Sequence, residues 1–121
     1  MRVVVFGALN GALAMGLGAF SAHVLSGAGD GADPQSFQTA VSMHLILSAV
    51  LIAIGGLKGY LLPSLMNAAS WLIGLGMVLF AGGIYAQTFG APEVVGLAVP
   101  VGGALAIFGF LVLAIGGARR I

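Results

Sequence analysis

Every charged side chain in this sequence stands outside four long apolar runs. Arg2 precedes the first run, and Asp30 and Asp33 separate it from the second. Lys58 divides the second from the third, Glu93 the third from the fourth, and Arg119 and Arg120 follow the last. Soluble domains carry about a quarter charged residues, whereas this chain has 6% charged and 60% hydrophobic residues. About 20 apolar residues, each rising ~1.5 Å along a helix, cross a hydrocarbon core roughly 30 Å thick. The expected fold is therefore all-α, with spans over about 3–25, 34–57, 63–89 and 94–117 in one membrane domain covering residues 1–121. Arg2 and the apolar stretch after it also have the outline of a signal peptide, with Ala19-Phe20-Ser21 as a passable cleavage signal. The segment is expected to be retained as the first helix.

The connections are short and marked by residues that stop or start helices. Residues 26–33 are rich in Gly, Ala and Asp, and Asp33-Pro34 reads as an N-cap followed by a proline at the first helical position. Gln35, Gln38 and Ser42 then follow at helical spacing, which makes the start of the second helix amphipathic. Lys58 and Tyr60 mark a membrane surface, Pro63 opens the third helix, and the segment Gly90-Ala91-Pro92-Glu93 ends it. Pro100 falls about two turns into the expected fourth helix, where its missing N–H predicts a bend. With alternating spans, all four basic residues lie on the side of both termini and the Lys58 loop. That side is expected to be cytoplasmic, in a bacterial inner membrane.

Lipid tails are as apolar as leucine, so small residues that admit close backbone approach are the packing signal to look for. Gly76, Gly83 and Gly90 recur every seven residues on the third helix, and Gly102, Gly109 and Gly116 do so on the fourth. Gly7 and Gly11 form a GxxxG pair on the first, and Gly11 and Gly18 are seven apart. A seven-residue repeat keeps one face along a left-handed crossing near 20°. The pattern predicts a tight, glycine-rich, left-handed four-helix bundle.

The polar side chains collect toward the end of the bundle opposite Lys58. His23, Gln38, Ser42, Tyr85 and Gln87 fall near that surface, with Glu93 in the adjoining loop, and His44 lies about two turns deeper, roughly 9 Å below Gln38 by helical rise. An ionisable group inside a membrane helix is a functional hypothesis by default, and for His44 that hypothesis is a proton-linked or ligand-binding imidazole. The better reading is a neutral structural histidine that donates to Ser42, Ser48 or a facing carbonyl and needs no acid partner. Asn10 is suited to a hydrogen bond between helices, Tyr85 to a hydrogen-bonded interfacial role, and Trp71 to filling the bundle. Two histidines and one nearby acid match no metal-ligand spacing, so no metal or other cofactor is expected.

The chain offers no carboxylate pair, no nucleophile beside a base, no phosphate loop and no cysteine, and enzymatic chemistry is not expected. Small multidrug exporters share its length and helix number, but they rely on a glutamate in the first helix, and residues 3–22 contain none. The paired-phenylalanine pattern of fluoride channels is not evident.

Gly18-Ala19-Phe20-Ser21-Ala22-His23 resembles the first signature of the YgdD/YwdK-like family, which carries glycine in place of Ser21. Phe37-Gln38-Thr39-Ala40 with His44 resembles its second signature, Leu47 standing where a second histidine is common. Leu79-Phe80-Ala81-Gly82 with Tyr85 resembles its third, with Ala81 in place of serine. Val99-Pro100 with Gly102-Gly103 resembles its fourth, with Val99 in place of threonine and Phe110 where tryptophan is usual. The resemblance covers nearly the whole chain and implies a four-helix inner-membrane protein with relatives in mitochondria. It implies no activity, since the family has none established, and the lost polar groups favour packing over an ion-binding constellation.

Three functional expectations remain. The first is a structural, accessory or assembly subunit that docks against a larger respiratory or photosynthetic membrane complex. The second is a small, oligomeric channel or transporter entered near His23, Gln38 and His44. The third is lipid or quinone binding in a groove beside Pro100. The partners implied are the lipid bilayer and another membrane protein or further copies of the chain, with no nucleic acid.

Overall fold

The computed structural model describes residues 2–23 and 34–118, excluding the side chains of residues 22, 23, 34 and 118. The expected loop at 26–33, the Asp33 cap and the Arg119-Arg120 pair lie outside the described residues. Within them the chain forms α1 (Arg2–His23), α2 (Pro34–Gly56), α3 (Pro63–Thr88), a short 3₁₀ helix (Glu93–Leu97) and α4 (Ala98–Ala118). Four helices among the described residues are long and apolar enough to cross a membrane.

Local chemistry accounts for the helix ends. Leu62 is extended, at φ −61° and ψ 128°, because the ring of the following proline crowds the helical conformation, and Pro63 then opens α3 where its missing N–H is not needed. At the other end Gly90 adopts φ +97°. Its N–H donates to the Gln87 carbonyl at 3.1 Å, and that of Ala91 reaches back to the Ala86 carbonyl at 3.0 Å. This pair of bonds closes a helix with a left-handed residue, a conformation glycine enters at no steric cost. Gly59, at φ +93°, turns the chain in the same way after α2 and leaves Lys58 exposed.

Pro100 corrects an expectation. The fourth α-helix starts at Ala98, preceded by the 3₁₀ helix, so Pro100 sits in the first turn and not in the interior. Its absent N–H coincides with one of the first four amides, which have no intrahelical acceptor in any case. The proline thus falls just after the junction between two helix types and interrupts no running α-helix.

Each helix packs chiefly on its neighbours in sequence: α1 on α2, α2 on α3, and α3 on α4. The middle pair, α2 and α3, is the more buried, whereas α1 and α4 have few buried residues. Leu47, Leu51 and Ile54 of α2 meet Ala69, Ile73 and Met77 of α3 and Ala106 of α4 in one apolar core. A smaller cluster, Phe37 and Val41 with Leu17 and Tyr85 beside them, closes the Glu93 end.

The glycines mark where backbones approach. A methyl group at Gly76 would stand 2.6 Å from the Gly102 carbonyl oxygen and 2.7 Å from the Ala106 nitrogen. One at Gly102 would meet the Phe80 nitrogen and would lie 2.7 Å from the Gly76 oxygen. A methyl at Gly109 would lie 2.5 Å from Ile73, and one at Gly83 would lie 2.9 Å from Val99. On the α1–α2 seam a methyl at Gly7 would lie 2.9 Å from the Ser48 carbonyl oxygen, one at Gly18 would lie 3.2 Å from Val41, and one at Gly55 would meet Val4. Gly11 and Gly116 lie on the same seams with room for a methyl, at 3.8 Å from Ser48 and 3.6 Å from Leu65 respectively.

Trp71 does not fill the bundle. It is 70% exposed on the outer face of α3, because Ala69, Ile73, Gly76 and Met77 occupy the inward face and leave no room for an indole.

Candidate functional site

His44 is 4% exposed and lies near the middle of α2. One ring nitrogen, Nε2, is 3.0 Å from Asn10 Oδ1 on α1, and the other, Nδ1, is 3.0 Å from the Tyr85 hydroxyl on α3. Asn10 Nδ2 donates to the Phe6 carbonyl at 2.9 Å. A carbonyl accepts only, which sets the amide's orientation and leaves Oδ1 facing the histidine as an acceptor. Nε2 must then carry the proton, and Nδ1 accepts from the tyrosine O–H. The result is a directional chain, Tyr85 to His44 to Asn10 to the α1 backbone, in which a neutral imidazole has both nitrogens satisfied. It ties three helices at one point.

The surroundings hold this geometry. The Tyr85 ring packs on Phe37, with centroids 5.1 Å apart, and lies 5.7 Å from the imidazole. Phe89 adds an edge contact to Phe37 at 6.4 Å and a tilted one to Phe20 at 6.0 Å, so aromatic rings cover the network on its Glu93 side. On the other side Ser48 donates to the His44 backbone carbonyl at 2.6 Å, with its oxygen 3.5 Å from Met77 Sδ. Beyond it the apolar core begins with Leu47 and Leu51.

The six polar residues expected to cluster separate into different environments. His44 and Tyr85 meet, the Tyr85 hydroxyl being directed at the histidine ring. Gln38 is exposed and donates to Ser21 Oγ across the α1–α2 seam at 3.4 Å. Ser42 is exposed, two residues from His44 and so on another face, and neither it nor the Ser48 hydroxyl binds the imidazole. Gln87 is exposed and lies across the 3₁₀ helix, where a methyl at Gly96 would come 2.6 Å from its Nε2. His23 ends α1, and its side chain lies outside the described residues. The interhelical bond expected of Asn10 is present. Its own sequence signal was a lone amide in an otherwise apolar run, and nothing along the chain pointed to His44 as its partner.

Chemically, the network offers orientation and cohesion. Half-buried hydroxyls elsewhere follow the same rule: Ser70 and Thr88 donate to carbonyls four residues back, at 2.9 and 3.0 Å. Among the described residues no buried side-chain nitrogen or oxygen lacks a hydrogen-bond partner. In lipid, where no water is at hand, each such vacancy would cost several kcal/mol (roughly the cost of an unmet polar group in hydrocarbon).

Residues 17–103 match the model of a family described as "Protein of unknown function (DUF423)". A UPF0382 membrane protein of Staphylococcus epidermidis is 34% identical over 112 residues, covering 93% of this chain and 91% of that protein. The UPF0382 membrane protein YwdK of Bacillus subtilis is 30% identical over 117 residues, covering 96% and 95%. A UPF0382 membrane protein of Haemophilus influenzae is 32% identical over 111 residues, covering 90% and 87%. No solved structure matches the chain.

Proposed function

Starting from a chain that belongs to the DUF423 family and is a multi-pass protein of the cytoplasmic membrane, we propose that it serves as a structural or accessory subunit docking against a larger membrane complex. The observation that carries this reading is the His44 network. The one ionisable side chain buried in the described core has both nitrogens engaged by Asn10 and Tyr85, so its polarity joins helices of the same chain and is not turned toward a substrate. The reading involves no catalytic step. The largest surfaces left for a partner are the exposed faces of α1 and α4, the two outer helices. On the count of basic residues we place the Lys58 end at the cytoplasm.

A pore through a single copy is the weaker reading. Such a path would have to pass the layer of Leu47, Leu51, Ile54, Ile73 and Met77, all buried in direct contact below His44.

The test is to extract tagged protein at native expression level in a mild detergent and weigh what accompanies it. A stoichiometric larger membrane partner is expected, and Gly83→Leu or Gly109→Leu should reduce its recovery more than His44→Ala. Recovery of the chain alone, or as a defined homo-oligomer, would overturn the accessory reading. A flux assay in liposomes, with and without His44→Ala, would then be the next measurement.

A further inference from the structure

The Glu93 end holds a half-open cleft of about 500 Å³ between the start of α2, the end of α3, the 3₁₀ helix and the start of α4. This volume is within the ~300–1,000 Å³ range of small-molecule sites. One side is apolar, formed by Ile84, Val99 and Pro100. The other carries Gln87, Thr88 and Ser36. Gly96 forms part of the wall, and its lack of a side chain is what lets the Gln87 amide lie across the 3₁₀ helix.

The balance of donors and acceptors narrows the ligand. Thr88 Oγ1 already donates to the Ile84 carbonyl, so toward the cleft it offers only lone pairs. Gln87 supplies an N–H₂ donor and a carbonyl acceptor. No charged side chain lines the cleft, and Glu93 begins the 3₁₀ helix one turn before Gly96, which disfavours an anionic head. The cleft lies at the ends of membrane-spanning helices, where the heads of membrane amphiphiles reside.

We propose that this cleft binds the uncharged, hydroxyl-bearing head of an acylglycerol lipid. The lipid hydroxyl donates to Gln87 Oε1 or Thr88 Oγ1, an ester carbonyl accepts from Gln87 Nε2, and the glycerol carbons pack on Ile84, Val99 and Pro100. A quinone head, which presents carbonyl acceptors and no donor, leaves the Thr88 and Gln87 acceptors unmet. Of the two outer helices the cleft takes in only the first turn of α4, at Val99 and Pro100, and the inference does not rest on the docking proposed above.

The test uses the full-length chain in phosphatidylcholine nanodiscs with a photoactivatable diacylglycerol. Adducts are mapped by peptide mass spectrometry, with dioctanoylglycerol, decylubiquinone and phosphatidylglycerol as competitors. Labelling is expected within residues 84–100, competed by dioctanoylglycerol and not by the other two. It should fall at least fivefold in Gln87→Leu and in the near-isosteric Thr88→Val, and stay unchanged in Ser42→Ala. Labelling spread evenly over the four helices would overturn the proposal. So would wild-type labelling in both cleft variants, or equal competition by decylubiquinone or phosphatidylglycerol.

Discussion

The α3–α4 seam and the junction of α1, α2 and α3 at His44 solve the same problem by different physics. Along α3–α4 the contact is backbone on backbone: Gly76 lies against the Gly102 carbonyl and Ala106, and Gly109 against Ile73. At the junction the helices are held by side-chain hydrogen bonds from His44 to Asn10 and Tyr85. Hydrophobic burial supplies little cohesion between helices already in lipid, so dispersion over close contacts and satisfied polar groups must do so. The glycine seam distributes its cohesion over many weak contacts and has no space for added atoms at Gly76, Gly102 and Gly109. The histidine junction concentrates it in a few groups and tolerates no missing ones.

The comparison is broken most severely by adding volume. Gly102→Leu must push apart two backbones that have no flexible side chain to yield. Its cost should lie at or above the ~1–3 kcal/mol typical of overpacking, read as lost folded protein in detergent unfolding. A near-neutral result would mean that the α3–α4 seam is looser than the geometry requires. His44→Ala comes next, leaving Asn10 Oδ1 and the Tyr85 hydroxyl without a partner. About 1–3 kcal/mol is expected, since membrane hydrogen bonds average ~0.6 kcal/mol but stranded buried groups cost more. Tyr85→Phe removes one bond and keeps the ring on Phe37, for roughly 0.5–1.5 kcal/mol. In a double-mutant cycle it should couple with Asn10→Ala, because both act through one imidazole. Gly116→Ala, with 3.6 Å to Leu65 where a methyl would go, should change stability by less than ~0.5 kcal/mol. A loss comparable to that of Gly102→Leu would show that the seven-residue repeat, and not the local distance, sets the sensitivity.

Several features of the fold are legible along the chain because their causes are local. Pro63 and the Gly90-Ala91-Pro92 break delimit α3 through their own backbone restrictions, and the charges at the run ends delimit the spans. Pro100 misleads because a proline in an apolar run reads as a bend, and only the intervening 3₁₀ helix reveals it as a helix start. Trp71 misleads similarly: its size suggests the interior, but the inward face of α3 is occupied by small and medium residues. The site was partly legible. His44 announces itself as a histidine within an apolar run, and Asn10 as a lone amide, but no spacing along the chain couples positions 10, 44 and 85.

By itself the sequence determined that the chain spans a membrane, how many times, and roughly where each span ends. Hydrocarbon thickness, helical rise and the backbone preferences of proline and glycine act over a few residues at a time. The tertiary structure decided which glycines are indispensable, since that depends on what the facing helix presents: backbone at Gly76 and Gly102, but open space or ordinary contact at Gly11 and Gly116. It also decided the tautomer and partners of His44, and separated Ser42 and Gln87 from it. Hydrogen bonds are made between atoms about 3 Å apart, a distance set by how helices rotate and cross, and not by their order in the chain.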